Sequence, residues 1–238
     1  MLLQSPSRPW LRFLARRCIK LAMVLSNAAK SGIAIFVGAV QFGILLTVSE
    51  ILYSADGTNP NVTYPGYAYS VSANYVSDLG ANCPAKGPCY IPPSAYVFDA
   101  SIALFGILII LAAYLLHRAY KWTPATVMIT MAGIGALGVG LFPETTGIVH
   151  LIFSDITFIF AGLSAIVLYR VQKRPMGYFS VILGIMDLFA CGLYASGIYL
   201  GLGAGGMERM IVYPTLLWAV GFGGHLMSLD DKTPPAVH

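Results

Sequence analysis

Six apolar runs follow one another through this chain, each about 20 residues long, the length a hydrocarbon core of about 30 Å requires of a helix. They fall near 31–53, 96–116, 123–142, 148–169, 176–199 and 209–227. In a bilayer every backbone N–H and C=O must be satisfied within its own segment, and helices do this one run at a time. The expected fold class is therefore all-α: a polytopic membrane protein, a six-transmembrane-helix bundle surrounded by a lipid bilayer. Composition agrees, with 57% hydrophobic and 10% charged residues where a soluble domain carries about 25% charged.

The basic residues set the orientation. They lie in short clusters between the apolar runs, which is the pattern of topology control rather than of a nucleic-acid-binding patch. No nucleic-acid partner is expected, despite a pI near 8.9. With the N-terminus inside, all of the 14 Lys and Arg except Lys86 and Arg209 fall on the inner side. That predicts a multi-pass plasma-membrane protein with both termini cytoplasmic and the 54–95 loop external.

Residues 1–30 hold Arg8, Arg12, Arg16, Arg17, Lys20 and Lys30 and no acid. Leu11, Leu14, Cys18, Leu21 and Leu25 recur at helical spacing beside a basic stripe, which predicts an amphipathic interfacial helix on anionic lipid, or one docked on a partner subunit. Lys20 and Lys30 interrupt what would be the apolar stretch of a cleaved signal, so the first span is expected to insert by itself. Residues 31–227 form the transmembrane domain and 228–238 a cytoplasmic tail.

The external loop carries two processing signals. Asn61-Val62-Thr63 is a glycosylation sequon. Cys83 and Cys89 bracket a Pro/Gly turn on the oxidising side, where a disulfide is favoured over a metal loop, since no other soft ligand lies nearby. Cys18 and Cys191 are expected to pack. Gly133, Gly135 and Gly138 spell a dinucleotide fingerprint, but inside the third span rather than at a strand-to-helix turn. They read instead as a smooth helix face for close packing, as do Gly221, Gly223 and Gly224, making the third and sixth helices candidates for the tight centre. No cofactor is expected: paired intramembrane histidines for a haem are lacking, and no metal set is apparent.

Carboxylates within a bilayer are costly and raise functional suspicion. Glu50, Asp99 and Asp155 fall in the outer half of their spans, with Arg209 the one cation at the outer end of any span; together they form an expected polar network in which Arg209 pairs with an acid. Glu208 is read as part of an external segment and Asp187 as lying near the middle of the fifth span. His150 opens the fourth span with Ser154 one turn on, Glu144 lies just across the Pro143 turn, and Ser77-Asp78 could fold down onto them. Ser77, Asp78, Glu144 and His150 are thus the candidate catalytic set for a hydrolase. The alternative is that Arg209 neutralises acids while His150 and the serines satisfy loop backbone.

At these residues a family resemblance appears. The stretch from Tyr69 to Gly80, the segment Gly140-Leu141-Phe142-Pro143-Glu144 with His150, and Glu208-Arg209 with Tyr213-Pro214 and Trp218 resemble motifs of the membrane family called domain of unknown function 998, its archaeal-type members in particular. The resemblance runs over 31–227 and implies a six-helix fold without a settled activity. Two expectations follow: a non-catalytic accessory subunit of a larger membrane assembly, such as a respiratory one, with partner subunits; and an outer-face hydrolase or transferase using the four residues above. Transport is less favoured, since no internal repeat or broken helix pair is evident.

Overall fold

The computed structural model describes residues 25–55, 69–81 and 91–229. The segment 1–24, Asn61, Cys83, Cys89 and the tail from 230 lie outside the described residues. Six helices follow in order: α1 (Asn27–Ala55), α2 (Pro93–Tyr120), α3 (Thr123–Leu141), α4 (Ile148–Val167), α5 (Met176–Ala195) and α6 (Gly203–Met227). Short 3₁₀ turns lie at Ser77–Gly80, Glu144–Thr146 and Leu168–Val171, and the described residues form no strand. All six helices are long and apolar enough to cross a membrane. The chain is a multi-pass membrane protein whose surroundings are lipid.

Local chemistry fixes the helix ends. Ser26 accepts the N–H of Ala29 at 3.0 Å, an N-cap that starts α1 ahead of Lys30, earlier than the apolar run suggested. Its hydroxyl donates to the carbonyl of Leu229 at 3.0 Å, tying the start of α1 to the end of α6. Pro93 sits in the first turn of α2, where its missing N–H is harmless. Lys121, at φ 56°, ends α2 in a left-handed cap and turns the chain into α3.

The largest departure from the sequence reading is at α6. It starts at Gly203, so Glu208 and Arg209 lie inside the helix and are buried rather than at its outer edge. Glycine disfavours helix, but here the N–H groups of Gly205 and Gly206 find the carbonyl of Ser72 at 3.0 and 3.4 Å, which satisfies two donors of the first turn. Asn74 lies so close that a Cβ on Gly205 would stand 1.9 Å from its carbonyl oxygen.

Sequential helices pack side by side, and α6 closes on α1, so the six make a ring. Short connections leave neighbours antiparallel. Glycine permits three of the seams: a Cβ on Gly32 would lie 2.5 Å from the Gly223 carbonyl, on Gly106 2.4 Å from the Leu137 nitrogen, and on Gly184 2.7 Å from the Gly162 carbonyl. The glycines of α3, and Gly221 and Gly223 of α6, thus serve close packing, but against different partners, α3 with α2 and α4, α6 with α5 and α1, while Gly224 faces open space. The ring's interior is filled. Phe42 stacks on Phe105 at 5.7 Å, and the two apolar voids nearby hold about 50 Å³ each. Outward faces carry Ile44, Ile51, Leu104, Phe189 and Leu217 against lipid. Among the described cations, Lys30, Arg118, Lys121, Arg170, Lys173 and Arg174 sit at the end opposite the Ser77 turn; Arg209 is in the other half.

Candidate functional site

The site is built on residues 69–81, which fold over one end of the ring. Asn74 Oδ1 accepts the N–H of Ser70 at 3.0 Å, and Asp78 Oδ2 takes Asn74 Nδ2 at 2.9 Å and the N–H of Tyr75 at 3.0 Å. Side-chain acceptors thus replace a regular ladder. Val76 and Leu79 pin the segment among Phe42, Tyr53 and Phe98.

Arg209 is the clamp. It is 3% exposed. Nη1 donates to the carbonyls of Val71, Asn74 and Gly205 at 3.0, 3.0 and 2.9 Å. Nη2 reaches Glu50 Oε1 at 3.1 Å and the hydroxyl of Tyr69. The Tyr69 hydroxyl passes the chain on to the Tyr75 carbonyl at 2.9 Å, and the guanidinium lies 5.3 Å from its ring centre. Burial pushes the Tyr69 phenol above its ordinary range, so it remains a donor. The planar guanidinium fork joins α1, the loop and α6 at once, which an ammonium could not do.

Beside this clamp the carboxyls converge. The backbone N–H of Val76 donates to Glu208 Oε2. Glu144, held at the Pro143 turn, lies beside Asp78 and Ser77, with Oε2 buried and unbonded. Burial, and then the Asp78 charge, hold Glu144 well above the usual carboxylate range, so the proton sits on Glu144. His150 is 6% exposed, and its Nδ1 lies 2.8 Å from the Phe142 carbonyl, which makes Nδ1 the protonated nitrogen and Nε2 the acceptor.

These groups open onto a cavity of about 300 Å³ between α4, α5, α6 and the loop. Ser77, Glu144, His150, Ser154, Asp155 and Glu208 line it, with Tyr75, Tyr194 and Cys191 on the facing walls. Its size is at the lower bound of small-molecule sites. None of its lining residues is a lysine or arginine.

The structure brings Ser77, Asp78, Glu144 and His150 to one end of the bundle, and joins Glu50 to Arg209. Asp99 stands apart from that pair: its carboxyl lies against Gly80, with Oδ1 buried and unbonded. Asp155 is exposed on α4 and faces the cavity instead of Arg209. Sequence reasoning set Glu208 aside as external, although it is 7% exposed in the site. It also missed Tyr69, Asn74 and Tyr75, whose only signal was their place in the loop motif. Cys191 does more than pack, with its thiol 3.6 Å from Asp187 Oδ1, and Asp187 also accepts from Thr215 at 2.9 Å. Among the described residues no group of three His, Cys, Asp or Glu is arranged to hold a metal.

Fold and site together define a six-helix membrane protein with a loop-capped, acid-lined cavity at one end. Within that class the chain belongs to the family of proteins of unknown function DUF998, whose profile matches residues 60–225. The match begins in the loop before α2, so it leaves out α1, which the resemblance had included. No curated protein and no solved structure matches the chain.

Proposed function

We propose that this protein is a non-catalytic membrane component, a binding subunit of a larger assembly, whose cavity faces the outside of the plasma membrane. One observation carries the reading: the polar side chains that suggested chemistry are committed to holding the loop. Both terminal nitrogens of Arg209 are engaged by backbone carbonyls, Glu50 and Tyr69, which leaves Nε alone unbonded. Ser77 and Asp78 lie beside Glu144, a protonated carboxyl and so no base. Among the described residues no serine or cysteine side chain hydrogen-bonds to a histidine ring, the pairing that activates a nucleophile, and the Thr126 hydroxyl that lies 3.4 Å from His117 Nδ1 is at the opposite end from the cavity. The clustering of described cations at the far end supports the orientation.

An outer-face hydrolase or transferase is the second reading. It is favoured by the free Nε2 of His150 in the cavity, with Ser154 one turn away and Glu144 placed as a proton donor. Purification of the full chain from native membranes in mild detergent separates the two. A stoichiometric partner and no turnover is expected. A monodisperse single chain that hydrolyses lipid, and loses that activity in His150→Ala, overturns the first reading in favour of the second.

A further inference from the structure

We infer that the cavity takes the protonated amine headgroup of an amphiphile without a phosphate, which enters sideways from the outer leaflet between α4 and α5. The inference rests on the binding reading above and supplies its ligand class.

The sideways route follows from how α4 and α5 meet. They touch tightly at Gly162, Gly184 and Leu188. Toward the loop end they stand apart across the cavity, with Leu151 and Asp155 of α4 on one side and Cys191 and Ala195 of α5 on the other. Leu151, Asp155 and Ala195 are exposed as well as lining it, so the cavity opens on the lateral face of the bundle. Asp155 lies seven residues into α4, about 10 Å below its start at about 1.5 Å per residue. A carboxylate exposed at that depth, with no cation beside it, is costly in hydrocarbon. A positive headgroup arriving from the leaflet offsets that cost while its chain stays in lipid.

The charge of the headgroup follows from the lining. Asp155 and Glu208 face the cavity beside the protonated Glu144, and no lysine or arginine does, so a phosphodiester would find no cationic partner there. Two nine-tenths-buried side chains also keep an unused acceptor toward it. His150 leaves Nε2, and Glu208 leaves its second oxygen, without a hydrogen bond among the described residues. Beside them Glu144 Oε2 is buried without a hydrogen-bond partner, and buried polar atoms ordinarily have one. An ammonium carries three donors, and Tyr75 and Tyr194, packed edge to face at 6.1 Å, give the cavity an aromatic wall.

The test uses the full chain in phosphatidylcholine nanodiscs, titrated with hexadecylamine and followed by the shift in unfolding temperature. Hexadecylamine should give a saturable upward shift. Hexadecanol, with the chain but no charge, and ethylamine, with the amine but no chain, should give none over the same range. Asp155→Asn, an exposed position that folding tolerates, should weaken hexadecylamine by about tenfold, the worth of one charge-assisted hydrogen bond. Asp99→Asn, off the cavity, should leave it unchanged. An equal shift with hexadecanol, or no effect of Asp155→Asn, overturns the headgroup site. Equal binding of ethylamine overturns the lateral route, and tighter binding of phosphatidylethanolamine overturns the headgroup class. Mass spectrometry of the recovered amine separates this inference from the non-catalytic reading: bound and chemically altered hexadecylamine would sink that reading and leave the ligand class standing.

Discussion

Arg209 of the last helix holds Glu50 of the first at 3.1 Å, so the ring is closed at its loop end by an ion pair and at the opposite end by the Gly32–Gly223 seam. The same guanidinium fixes the loop through backbone carbonyls, so its loss leaves several buried acceptors without donors. Removing one partner of a buried pair costs about 3 kcal/mol or more. Arg209→Ala should therefore lower the Tm in detergent sharply. Arg209→Lys should recover only a small part, because one ammonium cannot serve α1 and the loop together. Glu50→Gln should cost less, since that side chain is partly exposed. An unchanged Tm in Arg209→Ala would mean the loop does not depend on the clamp.

How much of this could be read in the sequence depends on what enforces each feature. The six spans were legible because the bilayer imposes length and apolarity on every helix, and hydropathy measures both. The start of α6 was not, because Gly203, Gly205 and Gly206 have poor helix propensity, and their first turn is satisfied by the carbonyl of Ser72, far away in sequence. That misplacement made Glu208 look external. Arg209 drew attention as one cation among acids, but spacing could not select Glu50 over Asp155. Carbonyl acceptors such as those of Val71 and Asn74 leave no trace in residue identity, so the clamp's main partners were invisible.

The glycine seams differ from glycines that face open space, and substitution should separate them. A Cβ on Gly106 would fall 2.4 Å from the Leu137 nitrogen, where only backbone movement gives relief. Gly106→Ala should cost about 1–3 kcal/mol, the range of overpacking. Gly43 is also within a helix but has nothing within 4 Å of its Cβ position. Gly43→Ala should be neutral or stabilise by up to about 1 kcal/mol through helix propensity. Equal losses at the two positions would contradict the close α2–α3 approach.

Glu144 predicts a direction of pH dependence. Its folded pKa is raised, by burial first and then by Asp78, so the folded chain holds this proton more tightly than the unfolded chain. Below the ordinary glutamate range both states are protonated and the group costs nothing. As pH rises from that range through the raised value, the unfolded state ionises first and stability falls, by at most about 1.4 kcal/mol per pH unit for one proton. Glu144→Gln should flatten this decline in Tm against pH, while Asp99→Asn, which leaves the Glu144–Asp78 pair intact, should leave the Glu144-dependent part of it in place. A wild-type profile that rises over the same window would refute the assignment.

The orientation prediction rests on charge alone and has a direct test. Placing the loop outside leaves Lys86 and Arg209 as the cations on that side, while Arg118, Lys121, Arg170, Lys173 and Arg174 stay in the cytoplasm. In a variant with all four native cysteines replaced by serine, Lys86→Cys should react with an impermeant maleimide added to intact cells. Arg118→Cys and Lys173→Cys, both at exposed positions, should react only after permeabilisation. An external loop also places Cys83 and Cys89 in an oxidising compartment, so the intact mass of otherwise native protein should rise by two hydrogen atoms on reduction, with the bridge mapped to those positions. Labelling of residue 118 or 173 from outside would invert the bundle and turn the acid-lined cavity toward the cytoplasm, which would remove the outer-leaflet route for its ligand.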